Sequence, residues 1–202
     1  MQRIILATAG ALTVLIVAAA VFLAGGRGER PAPAAALNIS GADIGGDFTL
    51  VDHLGQTRSA GDVITGPTLI YFGYTYCPDV CPIDTQNMVD IADMLAEKGL
   101  EATPIFVTVD PERDDVETMA IWAEVMHPEM IAMTGSQAQI DAVRSAYKVY
   151  AQRVDVEGQA EYLMNHSAYL YLADPSGLRA MYRNGYDPAL IAEDIAWVLE
   201  EG

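Results

Sequence analysis

The sequence predicts an α/β domain with a partly parallel sheet, and three features support this fold class. Two continuous apolar runs, 68–74 (TLIYFGY) and 103–110 (TPIFVTVD), have the composition of strands that are buried on both faces. A helical pattern follows each of these runs. The end of the chain, 167–200, then predicts a strand, a return strand and a helix. A strand–helix–strand–helix order followed by a hairpin and a helix is typical of an α/β fold.

The N-terminus predicts a membrane anchor in front of this domain. Residues 4–24 carry no charge and nothing more polar than threonine, and ~20 apolar residues suffice for a helix to cross a bilayer. The apolar region of a secretory signal is shorter, roughly 7–15 residues, although the small residues of PAPAAA could imitate a cleavage site. We therefore expect a transmembrane helix in 1–24, a Gly/Pro/Ala-rich linker over 25–38, and the domain over 39–202.

The charge balance of the chain excludes some partners. Asp and Glu total 28 against 11 Lys and Arg, which gives a formal net charge of −17. Such a surface repels nucleic acid and anionic lipid, both of which need basic patches. It could attract a cation or a basic protein.

Local patterns predict the remaining elements. In chain order they are a strand and turn at 46–52, a helix from Pro82, helices at 114–126 and 136–148, a strand at 167–173, a return strand at 178–184 and a helix at 188–200. The apolar face of the first helix recurs at helical spacing: Met88, Ile91, Ala92 and Leu95. The stretch DPERDD (110–115) could suggest a carboxylate metal site. A turn and a helix cap explain it without metal, because Asp114 and Glu117 have capping-box spacing.

The two cysteines of the chain lie together in the stretch YFGYTYCPDVCP (71–82). Cys77 directly follows a central strand and Cys81 lies at a helix start, the edge of an open α/β sheet where ligands bind. Pro78 and Pro82 disfavour one helix through both cysteines. We therefore expect an ordered loop that can share a metal between the thiols or close a disulfide.

The surroundings of the thiols act on their pKa in opposite directions. A helix N-terminus favours the thiolate, whereas the carboxylates of Asp79 and Asp84 disfavour a further negative charge. We expect thiols that are less acidic at rest than those of a strong disulfide oxidant. A structural disulfide would close too small a loop to constrain the unfolded chain much.

A third metal ligand would have to come from elsewhere in the chain. Monovalent copper accepts few ligands, favours sulfur and tolerates imidazole. Of the three histidines, His166 precedes the strand at 167–173 and would reach the cysteine loop if that strand lies beside 68–74. Its alternative is a buried histidine satisfied by backbone. We expect His53 and His127 to be surface residues.

Four stretches, YFGYTYCPDVCP, VTVDPERDD, MTGS and NHSAYLYLADPSG, resemble the Sco/SenC proteins in content and order. The resemblance implies a thioredoxin-like fold close to the peroxiredoxin branch, one transmembrane helix, and copper, as Cu+ or Cu2+, bound by two cysteines and a histidine. The matching ligands are Cys77, Cys81 and His166. Asn165 and Asp115 depart from the family's usual Asp and Thr, and neither departure removes a ligand.

The resemblance also implies a role and a location. The role is assembly of the copper centre of cytochrome c oxidase, with the oxidase subunit that carries this centre as acceptor and a periplasmic copper donor. Because the N-terminus lacks the features of a mitochondrial transit peptide, we expect a bacterial inner membrane protein with one span and its soluble domain in the periplasm.

The main alternative is a thiol–disulfide oxidoreductase in which Cys77 and Cys81 are catalytic and reduce the cysteines of the copper-accepting partner. The usual redox motif is Cys-x-x-Cys, whereas three residues intervene here. Oxidoreductases of this fold generally also have a cis-proline facing the cysteines. The corresponding stretch, EYLMNHSAY (161–169), has a histidine and no proline.

Overall fold

The computed structural model describes residues 35–37, 39, 41–158, 161–183, 185 and 187–201. The described residues belong to one compact unit, Pro33–Gly202. The predicted anchor at 1–24 lies outside them, as does most of the predicted linker. Among the described residues, no helix combines the length and the apolar character needed to span a bilayer.

The strands and helices follow the predicted α/β order, with additions. The strands are β1 (Thr49–Asp52), β2 (Thr57–Ser59), β3 (Thr68–Gly73), β4 (Thr103–Thr108), β5 (Ile131–Thr134), β6 (Ala151–Val154), β7 (Leu163–His166), β8 (Tyr169–Asp174) and β9 (Gly177–Arg183). The helices are α1 (Ala60–Val63), α2 (Val80–Glu97), α3 (Val116–Met126), α4 (Gln137–Ala146) and α5 (Pro188–Glu201).

A mixed sheet forms the centre of the domain. Its seven strands have the order β2-β1-β5-β4-β3-β8-β9, while β6 and β7 form a separate two-stranded sheet. Strand β4 runs parallel to both β3 and β5, and the remaining pairs in the sheet are antiparallel. All six residues of β3 are buried, which is why its sequence is a continuous apolar run. The predicted mixed α/β architecture is therefore confirmed.

The pairing of β3 with β8 determines which residues lie at the C-terminal end of β3, beside the cysteine loop. The two strands are antiparallel, with Tyr71 opposite Leu170. The beginning of β8 therefore lies beside the C-terminal end of β3, where the cysteine loop starts. His166, which precedes β8 by three residues, is brought to the same edge.

Helix α2 packs its predicted apolar face into the core. Met88, Ile91 and Leu95 are at most 1% exposed, and burial of each such side chain stabilises the fold by ~1.5–3 kcal/mol. The helix begins at Val80, two residues before the predicted start. Pro82 is still within the first turn, where no backbone N–H is needed.

Three local features differ from the sequence expectations. The cap of α3 is Asp115, whose side chain accepts from Thr118 N, so the predicted cap at Asp114 is wrong. Strands β2, β5, β6 and β7 and helix α1 lie where we predicted no strand or helix. Within the predicted linker, Ala36 pairs with Tyr182 of β9, so this end of the linker lies along the domain.

Candidate metal centre

The two cysteines occupy different environments at the C-terminal end of β3. Cys77 is half-buried in the loop between β3 and α2, and both thiols are free. Cys81 lies in the first turn of α2 and is fully buried. Its backbone N–H points at Cys77 Sγ, 3.5 Å away. The Cys77 sulfur therefore lies at the N-terminal end of α2, and Cys77 lies outside that helix, as we expected from Pro78 and Pro82.

His166 reaches this loop from the end of β7. Its Nε2 lies 3.2 Å from Cys81 Sγ, although the two residues are 85 positions apart. The other ring nitrogen, Nδ1, is 3.0 Å from the backbone oxygen of Ser167. A carbonyl oxygen can only accept, so Nδ1 carries a proton and Nε2 is the nitrogen that faces the sulfurs. Metal-binding histidines are commonly oriented by such a contact on the far nitrogen.

Two tyrosine rings fix the plane of the imidazole. The ring of Tyr74 meets it edge-on with a centroid distance of 5.8 Å, and that of Tyr71 does so at 6.3 Å. Both tyrosines are buried, so they leave the imidazole little freedom to turn. The aromatic residues Tyr71 and Tyr74, which precede Cys77, therefore support the site.

The thiol groups have very different acidities. Hydrogen bonds from the Cys81 side chain, from His166 and from the backbone N–H groups of Cys81 and Asp79 lower the pKa of Cys77 to about 3, against the effect of burial. The same Cys77–Cys81 bond, together with burial, raises the pKa of Cys81. The expectation that the thiols are less acidic than those of a strong disulfide oxidant is therefore wrong for Cys77, because local hydrogen bonds favour its thiolate.

Gly73 makes room for the buried sulfur. A Cβ atom at this position would lie 3.2 Å from Cys81 Sγ, 3.0 Å from Cε2 of Phe106 and 2.8 Å from Cε1 of Tyr71. Real Cβ atoms essentially never come within 3.0 Å of another heavy atom. A residue without a side chain is therefore needed where β3 ends, and the sequence alone does not reveal this.

Asp114, wrongly predicted as a cap, holds the start of the cysteine loop. It is fully buried and accepts hydrogen bonds from Thr75 N at 3.1 Å and from Thr108 Oγ1 at 2.6 Å. Its backbone oxygen accepts from Thr134 Oγ1 at 2.6 Å. Burial raises its pKa, against the effect of these hydrogen bonds. Asp114 thus ties the loop to β4 and β5.

The other two histidines make structural contacts. His53 Nδ1 accepts from Ala132 N at 3.3 Å, and His127 Nδ1 accepts from Glu129 N at 3.1 Å. Both are half-buried rather than freely exposed. Neither contact involves a cysteine.

The donor set fits a soft metal, with a small adjustment. Two sulfurs and an imidazole are the ligands that monovalent copper favours. Within the described ranges, no three or more His, Cys, Asp or Glu side chains are already spaced to hold a metal ion. The 3.2 Å between Cys81 Sγ and His166 Nε2 is a hydrogen-bond contact. Sulfur and nitrogen atoms that share a metal lie about 3.5–3.7 Å apart if the bonds have the lengths known from zinc sites.

Comparisons with known proteins match this chain to one family. The family model SCO1/SenC matches residues 37–200. Protein SenC of Rhodobacter capsulatus is 39% identical over 196 residues, which cover 96% of this chain and 88% of that protein. The human mitochondrial SCO2 homolog is 40% identical over 153 residues, which cover 75% of this chain and 56% of the human protein.

A solved structure shares the fold. Arabidopsis thaliana ScoI, crystallised with copper bound, superposes with a TM-score of 0.75 at 30% identity. The match covers 79% of this chain and 99% of that one.

Proposed function

Because this chain belongs to the SCO1/SenC family, we propose that it binds copper through Cys77, Cys81 and His166 and delivers it to the copper centre of cytochrome c oxidase. The observation that carries the proposal is the approach of His166 Nε2 to Cys81 Sγ, 3.2 Å apart across 85 positions of sequence. The bound copper in Arabidopsis ScoI supports the same chemistry.

Each donor has a distinct role in taking up copper, which is the cargo of the protein. Cys77 is half-buried and already favours its thiolate, so it can meet the incoming ion first. Cys81 is buried and holds its proton, which it must lose to bind. His166 completes the set of ligands through Nε2. To share the ion, Nε2 and Cys81 Sγ must move apart by ~0.3–0.5 Å from their present distance of 3.2 Å. An imidazole also suits Cu2+, so the site can serve both oxidation states.

Release of copper follows by exchange of ligands. Thiolates of an acceptor replace Cys77, Cys81 and His166 one at a time, so that the ion is never without a donor. We propose the oxidase subunit that carries the copper site as acceptor and a periplasmic protein as donor of copper. The net charge of −17 favours docking of partners with a basic face.

The predicted membrane anchor gives this function a location. We propose that residues 1–24 hold the protein in a bacterial inner membrane with its copper domain in the periplasm. An alkaline phosphatase reporter fused after residue 202 should be active, because that enzyme folds only outside the cytoplasm. Activity of a cytoplasmic reporter alone at the same position would contradict this orientation.

Reduction of a disulfide in the copper-accepting partner is a second candidate function. The unequal thiols favour it, since the pKa of Cys77 is lowered and that of Cys81 is raised. The Cys77 thiolate would attack the partner's disulfide to form a mixed disulfide and release one partner thiolate. Cys81, once deprotonated, would then attack Cys77, release the second thiolate and leave a Cys77–Cys81 disulfide.

Titration with Cu+ against a competing chelator tests the proposed ligands. The His166→Ala variant should lose Cu+ affinity by about 100-fold or more. Mutation of a residue that only hydrogen-bonds a metal ligand already lowers metal affinity by about 10–100-fold, and His166 is proposed as a ligand itself. His127→Ala is the matched control and should bind as the wild type does. Unchanged affinity in His166→Ala would remove this histidine from the site. Catalytic reduction of a disulfide by copper-free protein, with no copper binding at all, would favour the second function.

A further inference from the structure

Arg113, in the loop between β4 and α3, contacts the strand that carries His166. Its side chain is 11% exposed. Its Nε donates to Asp110 Oδ2 at 2.6 Å, and its Nη1 donates to the backbone oxygen of Tyr162 at 3.0 Å. Tyr162 immediately precedes β7, which ends at His166. One hydrogen bond therefore links Arg113 to the base of that strand.

The same guanidinium also contacts the cysteine loop. Arg113 Cζ lies 3.6 Å from the ring centroid of Tyr162, 4.9 Å from that of Tyr76 and 5.7 Å from that of Tyr74. Tyr74 and Tyr76 belong to the segment that leads into Cys77. A guanidinium over an aromatic ring is attracted to its π face, and the attraction grows as water is excluded. A single side chain thus touches both segments that bring donors to the site.

Tyr162 is fixed by two further contacts. Its hydroxyl donates to Asp110 Oδ1 at 2.8 Å, so Asp110 binds Arg113 and Tyr162 at the same time. Arg153 of β6 places its Cζ 3.8 Å from the Tyr162 centroid. The ring is therefore held between the loop after β4 and Arg153 of β6.

The small sheet needs such contacts because it is separate from the main one. Strands β6 and β7 pair with each other, and the seven-stranded sheet does not include them. Besides Arg113, Arg144 fastens β6 by donating to Ala151 O at 2.7 Å. This hydrogen bond of Arg144 does not involve the cysteine loop. The contacts of Arg113, in contrast, join the start of β7 to that loop.

We infer that Arg113 is a positioning residue that holds β7 against the cysteine loop, so that His166 faces the two sulfurs. The inference about metal affinity rests on the proposed function, and the inference about the position of β7 does not. Lysine cannot replace Arg113 in this role, because an ammonium lacks the planar fork that donates to Asp110 and Tyr162 while stacking on the rings.

Hydrogen exchange of the reduced, metal-free protein tests the position of β7. Amides of residues 163–166 should exchange at least tenfold faster in Arg113→Met and in Arg113→Lys, while those of β3 and β4 keep their wild-type rates. Arg58→Met is the matched control, because Arg58 lies on β2 at the far edge of the sheet and forms an ion pair with Asp52 there. Unchanged exchange in β7, or equal acceleration in β3 and β4, would overturn the inference.

A double-mutant cycle tests whether Arg113 acts through His166. Arg113→Met alone should weaken Cu+ binding about tenfold. In the His166→Ala background it should weaken binding no further, because a positioning residue has nothing left to position. Equal losses in both backgrounds would overturn the inference. If the wild type binds no copper, the proposed function fails, and the exchange rates of β7 still decide the role of Arg113.

Discussion

Replacement of Gly73 by alanine tests the packing that places the Cys81 sulfur. The new methyl group would lie 2.8 Å from Tyr71 Cε1, 3.0 Å from Phe106 Cε2 and 3.2 Å from Cys81 Sγ. Comfortable carbon–carbon contacts are ~3.5–4.0 Å. The two rings and the sulfur must therefore each move by several tenths of an ångström. All three groups are at most 2% exposed, so none can move into solvent.

The expected cost follows from this crowding. Overpacking a tight core costs ~1–3 kcal/mol, while the loss of glycine's flexibility in the unfolded chain offsets ~0.4–1 kcal/mol. We expect Gly73→Ala to lower the free energy of unfolding by ~1–2 kcal/mol. For a domain of this size, each kcal/mol corresponds to a fall in Tm of ~2–4 °C.

Urea unfolding under reducing conditions measures this cost. Gly66→Ala is the matched control, because a Cβ at Gly66 meets nothing within 4 Å and its φ is not positive. The control should stay within ~0.5 kcal/mol of the wild type or be slightly more stable. Equal stability of Gly73→Ala and the wild type would refute the argument that the Cys81 sulfur is packed against the end of β3.

Three further predictions follow from the described contacts. Asp115→Ala removes the cap of α3 and should lower the midpoint of urea unfolding; an unchanged midpoint would show that the cap contributes nothing to stability. Burial raises the pKa of Asp114 above its value in the unfolded chain. The contribution of Asp114 to the free energy of unfolding is therefore fully present below the unfolded-state pKa and is lost as pH rises through the folded-state pKa. The stability advantage of the wild type over Asp114→Asn should therefore shrink from pH 4 to pH 7, and a constant difference would contradict this. Iodoacetamide should modify Cys77 before Cys81 at pH 6 in reduced, metal-free protein, as read by peptide mass spectrometry, and equal labelling would argue against unequal acidity.

The central elements could be predicted from the sequence because their burial leaves a local pattern. Strand β3 is buried along its whole length, so it appears as an uninterrupted apolar run. The apolar stripe of α2 is visible at helical spacing for the same reason. These two elements place Cys77 and Cys81, and the loop between them could therefore be located before any coordinates.

The small sheet could not be predicted, although it carries His166. Its strands are half-buried or exposed throughout, so neither shows the apolar alternation of an ordinary strand. His166 was found through its position before the strand at 167–173 and through the family resemblance. The β6–β7 hairpin, which brings His166 close to the sulfurs, has no apolar pattern in the sequence that would predict it.

Long-range contacts account for the other differences. Arg113 reaches a carbonyl 49 positions away, and nothing in DPERDD distinguishes this from a solvent-exposed turn. The lowered pKa of Cys77 depends on hydrogen bonds from Cys81 and His166, which exist only once the chain has folded. Cys81 and His166 were themselves expected at the site, but the sequence does not show that their hydrogen bonds outweigh the effect of the nearby carboxylates on the pKa of Cys77.

X-ray absorption at the copper edge tests the central claim most directly. Protein loaded with one equivalent of Cu+ should show two sulfur neighbours and one nitrogen neighbour around the metal. The nitrogen should disappear from the spectrum of His166→Ala and remain in that of His53→Ala. A first shell of sulfur alone in the wild type, or a nitrogen that persists in His166→Ala, would contradict a site made of Cys77, Cys81 and His166.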